Sequence, residues 1–177
     1  MRAMRVVSLL GLVLGLLVGS AAAQSVQTDF DRSFQFSNLK TFSFAVQKRG
    51  NADPLAADSL NDGRIQTGLE SQLIANGFRM DREDADFVIA YYVTTKNKLS
   101  VQDYGYGPPR WFGSRNISVN QYSEGTLMVD FIDARTNQVV WRGRASGTLE
   151  MKGVDKKISK STEKLIKQFV KDTTKKG

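Results

Sequence analysis

Neither cysteine nor histidine occurs in the 177 residues, and proline appears three times. Without cysteine no disulfide can staple the chain, so the fold must rest on its own apolar core. Thiolate and imidazole zinc sites, cysteine nucleophiles and Ser-His-Asp hydrolysis all lose the side chains they require. A lipid carried on an amino-terminal cysteine is excluded for the same reason. Long apolar runs are also scarce. The stretch Val6 to Val18 is broken by Ser8 and falls short of the roughly 20 residues a spanning helix needs.

That stretch belongs to a three-part amino terminus. Arg2 and Arg5 open it, no acidic residue precedes Asp29, and Ala21-Ala22-Ala23 supplies a small-x-small cleavage site. Residues 1–23 therefore read as a cleavable signal peptide and 24–177 as a single exported domain, periplasmic or secreted, with no transmembrane anchor. The formal charge is +7, and nine lysines fall between Lys152 and Lys176. Such a basic surface attracts anionic partners, while a solvated helix face accounts for the same residues. Export argues against nucleic acid as that partner.

Hydrophobic periodicity outlines the domain. Residues 25–30 and 39–46 alternate as strands, with Phe42 and Phe44 on one side of the second. A loop with Gly50, Asn51 and Pro54 leads to a helix at about 59–76, capped by Asp58 or Ser59 and ended by Asn76-Gly77. Ile65, Leu69 and Leu73 form its buried stripe, and Gly63 and Gly68 weaken it by about 1 kcal/mol each relative to alanine. In residues 85–101, Phe87, Ile89, Tyr91 and Val93 share one face, with Val88, Ala90 and Tyr92 on the other. Residues 117–133 and 138–149 read as a hairpin turning at Asp133 to Asn137, and 154–172 as a second amphipathic helix. This order predicts an α+β fold: a mostly antiparallel sheet of about five strands with two helices packed on one face.

The hairpin and its surroundings carry a resemblance. The string YSEGTLMVDFIDARTNQVVWRGRASG, Tyr122 to Gly147, resembles the signature of the bacterial domain of unknown function 4136 family. Asp29 to Asp31, Lys40 to Phe44, Asp53 to Leu55, Asp62 to Ile65 and Ala85 to Ile89 are similar to its earlier segments. The similarity runs from about residue 26 to 170. It implies an exported envelope protein, in a family where many members are lipoproteins and no activity is established for the class. This chain departs from that pattern in lacking the lipid-bearing cysteine.

Candidate chemistry is sparse, and no catalytic, cofactor-binding or metal-binding residue is assigned. Ser161 and Lys164 match Ser-x-x-Lys, but the Ser-Asp-Asn and Lys-Thr-Gly partner motifs are absent. Asp81, Glu83, Asp84 and Asp86 cluster before the third strand, where solvated loop carboxylates are the ordinary reading and a paired acid–base the sharper one. Glu124, Arg142 and Arg144 suit a cross-strand charge network, and Trp141 suits the core. The strongest interaction candidate is the loop holding Tyr104, Tyr106, Trp111 and Phe112, with Arg110 as a charge contact. Rings folded onto their own sheet in an Ω-loop explain the same composition.

Three readings follow. The first is a non-catalytic envelope protein that binds an envelope protein or cell-wall component. The second is a carrier of a small apolar ligand or lipid, held in a groove between sheet and helices. The third is a hydrolase using carboxylates or a Ser/Lys pair. A homo-oligomer formed through an exposed sheet edge is compatible with each. The mature protein is expected to begin at Gln24. Intact-mass analysis of periplasmic protein tests this, and recovery of a chain retaining residues 1–23 in the membrane fraction would identify an anchor instead.

Overall fold

Alternating and amphipathic segments become six strands and two helices in the computed structural model, which describes residues 25–46, 58–103, 117–149 and 153–174. Side chains of 100–103 and 117–120 are outside that description, as is the expected signal at 1–23. The elements are β1 (Ser25–Phe30), a 3-10 turn (Phe36–Asn38), β2 (Thr41–Phe44), α1 (Ser59–Ala75), β3 (Arg79–Met80), β4 (Phe87–Asp103), β5 (Ile117–Asp133), β6 (Val139–Leu149) and α2 (Val154–Thr174). They form one sheet in the order β1-β6-β5-β4-β2-β3.

The α+β class holds, but the sheet corrects the sequence reading in two ways. It has six strands rather than about five, and it is mixed rather than mostly antiparallel. β1, β6, β5 and β4 alternate in direction, whereas β2 runs parallel to both β4 and β3. The cause is connectivity: α1 carries the chain from β2 back across the sheet, and a strand–helix–strand unit places its strands parallel. β3 is two residues long, too short for any alternation to reveal.

Both helices cover the same face. β4 sends Phe87, Ile89, Tyr91 and Val93 toward them, and opposite residues Phe131, Val129 and Leu127 of β5 continue the layer. Asp58 caps α1 by accepting from the Leu60 amide at 2.9 Å, and the helix lays Ile65, Leu69 and Leu73 into the core. Asp62, in the first turn, accepts from the Tyr91 hydroxyl and ties α1 to β4. Gly68 costs helix propensity for a packing reason. A Cβ there would lie 2.7 Å from Thr162 Oγ1, so its absence lets α1 and α2 touch.

α2 is seated by aromatic contacts. Phe169 meets Phe131 edge-on at 4.4 Å between ring centroids, with Trp141 at 5.4 Å, Phe78 at 5.7 Å and Phe36 at 6.1 Å. Gly143 makes room for this floor, because a Cβ would sit 2.7 Å from Leu165 Cδ2 and closer still to the Trp141 ring. Asp172 then fixes the last turn, accepting from Thr28 Oγ1 at 2.9 Å and Trp141 Nε1 at 3.2 Å.

The acidic segment before β4 is structural in its contacts. Asp81 accepts from the Glu83 and Asp84 amides, each at 3.0 Å, closing a turn. Asp86 Oδ2 accepts from the Lys40 amide at 2.7 Å, the Thr41 amide at 2.9 Å and Thr41 Oγ1 at 3.0 Å, clamping the start of β2 onto β4. The Lys40 amide, acting against burial and joined by Thr41, holds the Asp86 carboxyl below its ordinary range.

Two measurements test this architecture. Phe169→Ala is expected to lower stability by about 3–5 kcal/mol in urea denaturation, with a far smaller loss for the half-buried Val170→Ala. Asp86→Ala is expected to cost about 2 kcal/mol at neutral pH. The folded pKa lies below the unfolded value of about 3.9, so this contribution is complete above that value and fades as pH falls through the folded one. The difference from wild type should therefore shrink below about pH 4; a constant difference would mean that charge plays no part in the clamp.

Candidate functional site

Twin glycines open a gap in the helix-facing side of the sheet. Gly125 and Gly147 stand directly opposite each other on β5 and β6, leaving a stretch of floor without side chains. Leu149 folds into part of it, since a Cβ on Gly125 would lie 2.8 Å from its methyl groups. The remainder is a groove of about 50 Å³. Val93, Leu127 and Ala145 form its floor, and Ile65 and Ile158 its roof.

The first turns of both helices border this groove, α1 through Asn61 and α2 through Val154 and Lys157, so both helices begin at the same end of the sandwich. Lys157 Nζ donates to the Thr148 carbonyl at 2.6 Å, which holds the ammonium at the rim. Among the described residues none that line it is acidic. The arrangement is an apolar slot with Lys157 held at its rim. Sequence reasoning anticipated a groove between sheet and helices but not its position, because the opposition of Gly125 and Gly147 depends on strand register.

Among the described residues no helix covers the opposite sheet face, which carries charges. Asp130 is buried there and engages Arg142 in two bonds of 2.6 Å, from Nε to Oδ1 and from Nη2 to Oδ2. The Asp130 carboxylate raises the Arg142 pKa above its usual value. Glu124 pairs instead with Lys98 at 2.8 Å. The expected Glu124–Arg142–Arg144 network is therefore replaced by two separate pairs that exclude Arg144. Charge alternation indicated cross-strand pairing, and register chose the partners.

The other sequence candidates are dispersed. Ser161 Oγ donates to the Lys157 carbonyl of its own helix at 2.8 Å. Among the described residues no group of three acidic side chains could hold a metal ion. Tyr104, Tyr106, Arg110, Trp111 and Phe112 lie outside the described residues. Their flanks are described: β4 and β5 pair without interruption from Phe87↔Asp133 to Asp103↔Ile117. Among the described residues β6 accompanies β5 only as far as Ser123↔Leu149, and β4 and β5 continue as a two-stranded arm to Asp103 and Ile117. Leu99 on this arm is 69% exposed. Among the described residues no helix is long and apolar enough to cross a membrane.

No curated protein matches the chain in sequence. Solved structures resemble it at low identity. A PDZ domain protein from Parabacteroides distasonis superposes with a TM-score of 0.56 at 13% identity, over 81% of this chain and 35% of that one, so the present chain spans about a third of its length. That likeness shows a shared fold. A PelC dodecamer from Paraburkholderia phytofirmans matches with a TM-score of 0.48 at 14% identity, over 81% of this chain and 95% of that one. A minor lipoprotein from Acinetobacter baumannii gives 0.36 at 15%, over 77% and 91%. By sequence, the model of a domain of unknown function, DUF4136, covers residues 26–169, and the chain belongs to that family.

Proposed function

We propose that this chain is a non-catalytic binding protein of the bacterial cell envelope, and that an envelope protein or cell-wall component engages its β4–β5 arm. The carrying observation is the arm. Past Thr95 and Gly125 the strands leave the helix-covered body, and past Tyr122 β5 has β4 as its sole neighbour among the described residues. A two-stranded ribbon is marginal by itself, and the outer edge of β5 from Tyr122 outward, which has no strand partner among the described residues, is suited to adding a strand from a partner. Its two ends join residues 104–116, where Tyr104, Tyr106, Trp111 and Phe112 supply the aromatic side chains that dominate binding hot spots.

The non-catalytic reading is supported by the side-chain inventory. Histidine and cysteine are absent, the Ser161 hydroxyl is spent within its helix, and the carboxylates of Asp81 and Asp86 hold backbone amides. The envelope location rests on the amino-terminal segment read as a signal peptide.

Crosslinking in intact cells tests the proposal. Wild type should capture a defined envelope partner, and a variant with Tyr104, Tyr106, Trp111 and Phe112 all changed to Ser should lose it while keeping the wild-type circular dichroism spectrum. Equal capture by both would remove the aromatic segment from recognition. Capture of a second copy of the chain would make the arm a self-association element.

A further inference from the structure

The outward side of the helix layer combines charge with exposed aliphatic side chains. In α2, Ile158, Leu165, Ile166 and Phe169 face the core, which leaves Lys156, Lys160, Lys167 and Lys171 exposed on the far side. Their spacing keeps the four in line over about 22 Å of helix at 1.5 Å per residue. Asp155 and Glu163 are exposed as well, so the exposed residues of α2 carry four positive charges against two negative. Asp155 turns toward α1, where it lines the open groove between the helices with Arg64. In α1, Ile65, Leu69 and Leu73 fill the core, and the opposite side presents Leu60, 67% exposed, and Ile74, 51% exposed. These two lie about 21 Å apart along the axis, with Thr67 and Ser71 exposed between them.

Both helices cover one face of the sheet and meet where Gly68 admits Thr162, so their outward sides form a single surface. A row of ammonium groups beside two aliphatic side chains complements an anionic bilayer. Hydrated lysine point charges are drawn to the head groups without demanding a fixed geometry, and the aliphatic side chains enter the head-group region. A soluble polyanion would meet the lysines but offer Leu60 and Ile74 nothing apolar. Among the described residues no helix is long and apolar enough to cross a membrane, which keeps such contact at the interface. We infer that the outer surface of the helix layer docks on a membrane of anionic lipid, through Lys156, Lys160, Lys167 and Lys171 of α2 and Leu60 and Ile74 of α1. This surface shares no residue with the β4–β5 arm.

Cosedimentation of the mature chain, residues 24–177, with lipid vesicles provides the test. Binding is expected to vesicles of about 30% phosphatidylglycerol in phosphatidylcholine and not to pure phosphatidylcholine. It should fade as NaCl rises from about 0.05 to 0.5 M. A lysine near such a surface is worth roughly fivefold in affinity, so changing all four to Gln should cut binding by about a hundredfold or more. Leu60→Ser combined with Ile74→Ser should weaken it about tenfold. All six positions are exposed, so each variant should keep the wild-type circular dichroism spectrum, and either set decides if the other fails to fold. The variant with Tyr104, Tyr106, Trp111 and Phe112 changed to Ser should bind vesicles as wild type does. Loss of binding in that variant would assign lipid contact to the aromatic segment and overturn the inference. Full binding after Leu60→Ser with Ile74→Ser would do the same by making the lysines a general polyanion site. Equal binding to both vesicle types, full binding by the lysine variant, or no binding to vesicles at all would each overturn it as well.

Discussion

Phe169 occupies the position on which the remaining packing turns. Its ring stands edge-on against Phe131, beside Trp141 and Phe78, so a single helix residue meets aromatic side chains from β5, from β6 and from the segment after α1. Edge-to-face contacts of this kind add directionality to apolar burial. They fix the rotation of α2 as well as its height above the sheet. Gly143 is the necessary counterpart, since any side chain there would displace the Trp141 ring. Once α2 is set, Thr162 meets Gly68 and α1 has one place to lie. The groove follows as the space left where both helices begin over the glycine pair.

The two faces of the sheet solve different problems. The helix face is aromatic and aliphatic, and in a chain without disulfides it carries the stability. The open face keeps polar rows, and its most buried charge, Asp130, is matched by two bonds from Arg142. A buried carboxylate left alone would be costly, and a paired one gains little over an apolar substitute. The pair sits in the central strands, where Asp130 opposes both Ala90 and Arg142, and it favours that register over one shifted by a single residue.

Separation of body and arm gives the molecule two kinds of surface. The buried apolar residues of β4 and β5 end at Val93 and Leu127, and beyond that point the β4–β5 ladder continues with no fully buried side chain among the described ones. Recognition by the arm would use a backbone edge and residues 104–116, whereas the groove is an apolar slot in the body. The two are far enough apart in character to be separated by mutation, because no residue of the groove is needed to build the arm's pairing beyond Tyr122.

Strand alternation around Phe87, Ile89, Tyr91 and Val93, the helical stripes Ile65–Leu69–Leu73 and Ile158–Leu165–Phe169, and the Asp133–Asn137 turn were all legible in the sequence, because each is a local period or a local turn preference. Asn137 duly takes a positive φ of 55°. The family was legible too, through the Tyr122 to Gly147 string and the segments before it. Not legible were the parallel placement of β2, the two-residue β3, the pairing of Arg142 with Asp130, and the meeting of Gly125 with Gly147. These depend on which strands become neighbours and in what register, and side-chain period along one segment contains neither. The sequence by itself determined which residues face inward and where the chain turns. Only the tertiary structure decided which inward faces meet, and so where a charge is matched and where a gap remains.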